Sequence, residues 1–175
     1  MSVLIAFGSI EGQTRKVAHF VEALAKDAGL DVSVHDTSDR LSNVSFDGVD
    51  QVILAASVHE RRHPKDFELF VSANHDHLEE RKTLLLSISL NAAFPEGQQE
   101  AQDYMDEMKL RTQLEPTDEA LVAGAVRKRS YDYYATQILQ HVVLRGRNID
   151  PSVQEHEFTD WDALAMKVST FLNKV

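Results

Sequence analysis

The N-terminal stretch constrains this chain more than any other. Val3 to Phe7 form a short apolar run, and Ser9 to Thr14 a turn rich in hydroxyl groups and glycine. Val17, Phe20, Val21, Leu24 and Ala28 then recur at spacings of three and four. That order predicts a buried strand running through a turn into an amphipathic helix, which Gly29 stops. A helix starting directly behind a strand leaves several backbone N–H groups unpaired at its positive pole. Such a turn is an anion site, and a phosphate monoester is its commonest occupant. Ser9 and Thr14 add hydroxyl donors, and Gly12 permits close backbone approach. An ordinary capped βα turn uses the same residue types, with Thr14 as a helix cap.

Further strand-like runs follow at Asp31–His35, Gln51–Ala56, Thr83–Leu90 and Ala120–Val126. Helical patterns separate them. One begins at Pro64 and carries Phe67, Phe70 and Val71; a second spans about Gly97 to Leu114 with Ala101, Tyr104, Met105 and Met108. The last starts at the N-cap signal Thr159-Asp160 and runs from Trp161 to Leu172, with Leu164, Val168 and Phe171 inward. Alternating strands and helices predict an α/β fold, a doubly wound parallel sheet of five strands covered on both faces. Ligands then bind beyond the carboxyl ends of the strands, which singles out the loops Gly8–Thr14, Ser57–His63 and Asn91–Gly97. Residues 127–158 are long for a connector, and we read them as an insertion with a helix of its own at about Tyr131 to Leu144.

Composition narrows the chemistry. A length of 175 residues at 43% hydrophobic content predicts one domain, and no apolar run reaches the length of a membrane span. Without a basic, apolar leader at the N-terminus the expected location is the cytoplasm. The chain has no Cys, so thiol redox chemistry, iron–sulfur clusters and Cys-zinc sites are excluded, and any redox work needs a bound cofactor. The net charge of −10 argues against nucleic acid as a partner. Between Gly124 and Asn148, however, Arg127, Lys128, Arg129, Arg145 and Arg147 face Asp132 alone, which leaves +4 there and −14 on the remainder.

The run Phe7-Gly8-Ser9-Ile10-Glu11-Gly12-Gln13-Thr14-Arg15 resembles the phosphate loop of flavodoxin-like proteins. Within them the chain is most similar to the bacterial quinone-dependent, flavodoxin-like protoporphyrinogen IX dehydrogenases. The likeness continues through Ala56-Ser57-Val58, Ser87-Ile88-Ser89-Leu90-Asn91, Ala123-Gly124-Ala125 and Phe158-Thr159-Asp160-Trp161, in order and over essentially the whole length. The resemblance implies strand order 2-1-3-4-5 and a noncovalent FMN. Its phosphate would rest on Ser9, Ile10, Glu11, Gly12, Gln13 and Thr14. Its ring would lie between Ser57, Val58 and His59 on one side and Ser89, Leu90, Asn91, Ala92 and Phe94 on the other. The implied activity is oxidation of a reduced porphyrin precursor, with electrons passed to a membrane quinone. An electron carrier without an organic substrate is the alternative, and the acidic surface favours it. No catalytic acid or base is assigned. Flavodoxins usually flank the ring with aromatic residues, whereas these loops offer His59, His63 and Phe94.

His59-Glu60-Arg61-Arg62-His63 matches the H-E-x-x-H pattern of zinc proteases. That pattern needs a helix to bring both imidazoles to one face. Here it follows a strand and precedes Pro64, so a loop is expected, with no metal and with the imidazoles at the flavin edge or solvated. His75-Asp76-His77 is expected at a polar helix end facing water. In the insertion, Tyr131, Tyr134, Ile138 and Val142 share a helical face flanked by cations. This pattern suits peripheral membrane contact through 127–147, an anionic ligand, or packing against the sheet edge or a second subunit.

Overall fold

The computed structural model describes residues 1–127 and 155–173. Five strands, β1 (Ser2–Gly8), β2 (Asp31–Asp36), β3 (Gln51–Ser57), β4 (Lys82–Ser89) and β5 (Asp118–Ala123), form one parallel sheet in the order β2-β1-β3-β4-β5. The order reverses between β1 and β3, which is where a doubly wound sheet opens a crevice. Gly8 pairs with Ala56 and Ser57 with Ile88, so the loops after β1, β3 and β4 leave the sheet at nearly one level.

Apolar residues on alternate sides of each strand make two cores. On one face Val3, Ile5, Ile53, Leu84 and Leu86 meet α1 (Gln13–Asp27) and the C-terminal helix α5 (Trp161–Leu172) through Val17, Val21, Leu164, Val168 and Phe171. On the other, Leu4, Leu54 and Leu85 meet Phe67 and Val71 of α2 (Lys65–Ala73), Leu78 of the short α3 (His75–Glu79), and Met105 and Met108 of α4 (Gln98–Thr112). Within the described residues the predicted helices are found, and so are their inward residues with one exception. Ala28 is exposed as the C-cap of α1, and Ala18 and Ala25 fill the positions beneath the helix instead.

The fifth apolar run also divides. It leaves the sheet after Ala123, and beyond Gly124 the strand β6 (Ala125–Arg127) pairs antiparallel with β7 (Glu155–Glu157). The predicted helix at 131–144 lies outside the described residues. Among the described residues, no helix is long and apolar enough to cross a membrane.

Candidate functional site

The first loop ends in a helix start that the protein leaves open. Gly12 adopts φ 92°, a left-handed conformation natural to glycine, and caps α1 without any side-chain hydrogen bond. The first turn of α1 contains no acidic residue to offset the positive pole. Ser9 Oγ accepts the Gly12 N–H at 3.0 Å, which draws the loop into a tight turn. Thr14 is fully buried at the start of the helix, and its Oγ1 has no hydrogen-bond partner among the described residues. A buried hydroxyl without a partner is costly. A phosphate oxygen at the helix start would satisfy it together with the first-turn amides, so the cradle fits a phosphate monoester.

The polar side chains of this segment are used elsewhere. Gln13 turns away from the turn and donates through Nε2 to Glu157 Oε1 at 2.8 Å and to Thr159 Oγ1 at 3.0 Å, leaving only its backbone N–H for an anion. Arg15 and Lys16 are half exposed and paired with Asp36 and Glu157, each at 2.6 Å.

The second loop forms a tight hairpin turn. His59 and Arg62 exchange backbone hydrogen bonds at 2.9 and 3.0 Å, and Glu60 and Arg61 between them take φ of 48° and 66°. Two successive left-handed non-glycine residues carry strain of the kind that collects at functional sites. The zinc-protease spacing is therefore not helical. His59 faces the first loop, with Nε2 3.9 Å from Glu11 Oε1. His63 points into the molecule, 2% exposed, with Nε2 2.9 Å from Ser87 Oγ. It lines no open edge, contrary to the expectation for it. Its burial pushes the imidazole down to about 4. No group of metal-binding side chains forms among the described residues. Before this turn, Val58 N–H donates to Ile88 O at 2.7 Å, and the buried Ser57 Oγ has no partner among the described residues.

The third loop is two short 3-10 turns, Asn91–Ala93 and Pro95–Gly97, around an extended Phe94 that is 6% exposed. Ser89 Oγ accepts the Ala92 N–H at 3.2 Å. Leu90 is half-buried and carbonyl-bonded to Ala93 N–H at 3.0 Å. Asn91 Nδ2 donates to Glu100 Oε2 at 2.9 Å, and the Tyr104 hydroxyl donates to the other oxygen of Glu100. Burial, with the Glu100 hydrogen bond, raises the Tyr104 pKa. Arg61 from the second loop lies over the Tyr104 ring at 5.7 Å and 3.8 Å from Glu100, so the second and third loops meet on α4.

Sequence reasoning missed residues that touch these loops from far away in the chain. Phe158 packs edge-on against Phe94 with ring centroids 5.4 Å apart, and Glu157 holds Gln13. Glu157 ends, and Phe158 follows, a three-residue strand with no apolar alternation, which carries no sequence signal. The other histidine motif also has structural partners. His77 stacks on Phe46 at 4.8 Å, and His75 Nε2 lies 3.0 Å from Gln113 O, so neither simply faces water.

Comparison with known proteins agrees with this geometry. Protoporphyrinogen IX dehydrogenase [quinone] of Escherichia coli (strain K12) is 25% identical over 94% of this chain and 91% of that protein. The crystal structure of oxidised Flavodoxin 1 from Bacillus cereus superposes with TM-score 0.58 at 15% identity, covering 100% of this chain and 99% of the other. The Streptococcus pneumonia TIGR4 flavodoxin superposes with TM-score 0.54 at 16% identity, with both chains fully covered. The family model described as "Flavodoxin domain" matches residues 4–150. With the reversed strand order, the open helix start behind β1 and a match over most of its length, the chain belongs to the flavodoxin domain family.

Proposed function

We propose that this protein is an FMN-dependent oxidoreductase that removes hydrogen from a reduced porphyrin precursor and delivers the electrons to a quinone. The cofactor half of this reading is carried by the uncapped helix start with the buried, unpartnered Thr14 hydroxyl. The substrate half is supported by the near full-length relative, a protoporphyrinogen IX dehydrogenase [quinone]. FMN, when bound, supplies a two-electron acceptor that can be reoxidised by a second substrate.

The chain's own residues bind and orient. Ser9, Thr14 and the backbone amides of Ile10, Glu11 and Gln13 receive the phosphate, and Gly12 shapes the turn through its bond to Ser9. The ring end lies between Ser57, Val58 and His59 and the stretch Ser89, Leu90, Asn91, Ala92 and Phe94. Asn91 is held by Glu100 and Tyr104, so its amide is fixed in orientation before any ligand arrives. Residues 1–175 act in this reading as one flavin-binding domain. Quinones dissolve in membranes, and the cations of 127–147, on an otherwise acidic chain, suit an anionic lipid surface. Reversing the charges at Arg127, Lys128 and Arg129 should abolish cosedimentation with anionic liposomes; wild-type protein that ignores liposomes removes this part.

The deciding experiment is flavin identification in the purified protein, followed by anaerobic turnover of protoporphyrinogen with a quinone. Yellow protein that oxidises the porphyrinogen meets the expectation. Protein that stays colourless in excess FMN overturns the whole reading. Flavin-loaded protein without turnover leaves the electron carrier, which the charge of −14 outside the basic stretch favours.

A further inference from the structure

The chain that returns through β7 is fastened to the candidate flavin site at both of its ends. Glu157 Oε1 accepts from Gln13 Nε2 at 2.8 Å and from Lys16 Nζ at 2.6 Å, while its Oε2 accepts from Trp161 Nε1 at 3.3 Å. Burial works to raise the Glu157 carboxyl, but these three donors outweigh it and hold it below its usual range. Gln13 is 6% exposed and is the first helical residue behind the phosphate turn. The next residue of the return, Phe158, lies edge-on against Phe94 in the loop after β4, and its N–H donates to Gly124 O at 3.0 Å. Thr159 then accepts from Gln13 and donates to Ala123 O at 2.6 Å. Three consecutive residues thus touch the loop after β1, the loop after β4 and the end of β5. Neighbouring Cα atoms sit about 3.8 Å apart, so a backbone displacement of this segment is felt at all three contacts.

We infer that Glu157 and Phe158 are positioning residues of the flavin site. Glu157 acts through Gln13 to set the first turn of α1 against the phosphate. Phe158 acts through Phe94, the one Phe, Tyr or Trp residue of the three loops, to set the third loop against the ring. The inference rests on the FMN reading above. It also makes cofactor binding and the β6–β7 root thermodynamically linked, because a coupling between two sites is reciprocal.

The test titrates the full chain, freed of flavin, with FMN and with riboflavin, which lacks the phosphate, following flavin fluorescence. Glu157→Ala is expected to weaken FMN roughly tenfold, the scale of one hydrogen bond to a charged acceptor, and to leave riboflavin unchanged. Glu157→Gln keeps an acceptor for Gln13 and should recover most of the loss. Phe158→Ala is expected to weaken both ligands by the same factor and to alter the visible circular dichroism of the bound flavin, whereas Phe158→Tyr restores both. Val71→Ala, in the core on the opposite face from α1, lowers the melting temperature and should leave both affinities alone. Wild-type affinity in Glu157→Ala and Phe158→Ala overturns the inference. So does a loss for both ligands that merely tracks the melting temperature across all the variants. A wild-type chain that binds neither flavin overturns this inference together with the FMN reading.

Discussion

Burial holds the His63 imidazole at about 4, while Glu68 pulls it upward and Arg111 downward. Above about pH 6.5 the ring is neutral in folded and unfolded chains alike, so it contributes no pH dependence there. Between 6.5 and 4 the unfolded chain binds a proton that the fold refuses, and stability falls as pH falls. The expected loss from pH 6.5 to 4.5 is about 2 kcal/mol, and His63→Gln should remove that part of the slope in urea titrations. Gly97 makes a second prediction at this scale. A Cβ there would lie 2.3 Å from the Asn91 carbonyl oxygen, against backbone atoms rather than a flexible side chain. Gly97→Ala should therefore cost about 2 kcal/mol or more, read as a lower urea midpoint.

Among the elements, α5 has the clearest start. Asp160 Oδ1 accepts the Ala163 N–H at 2.9 Å, so Asp160→Ala should destabilise by about 1 kcal/mol, measured by thermal or urea unfolding. At the end of α4, Gln113 is left-handed at φ 57°, and Gln113→Gly should stabilise by roughly 0.5–1 kcal/mol in the same assay. The elements also show which parts of the fold a sequence reveals. β1, β3 and β4 are continuous apolar runs, α1 and α4 are periodic, and Asp160 is a cap by type; each is local, and each was legible. The division of the fifth run at Gly124 was not, because Ala125 and Val126 continue the apolar run Ala120–Val126 and only the distant β7 gives them a partner. The loops of the candidate site were legible where backbone direction and position after a strand define them. The site's contacts were hidden where a side chain chose its partner across the chain, as Gln13 did in pairing with Glu157, 144 residues away. His63 was misplaced for the same reason, since nothing nearby in sequence indicates that Ser87 awaits it inside.

For the molecule as a whole, a ligand that binds only the folded chain raises its stability by mass action. FMN at a hundred times its dissociation constant should add about 2.7 kcal/mol, seen as a higher melting temperature that riboflavin at the same concentration does not match. The pairing of Ala125 with Glu157 and of Arg127 with Glu155 has a consequence of another kind. The backbone departs and comes back through facing rungs of one small ladder, so Arg127 and Glu155 stand close enough for a two-residue hairpin turn to join them. Closure of a long loop costs only slightly more than closure of a short one. The ladder is thus a graft point, where stretches of very different length can be exchanged while the parallel sheet keeps its register.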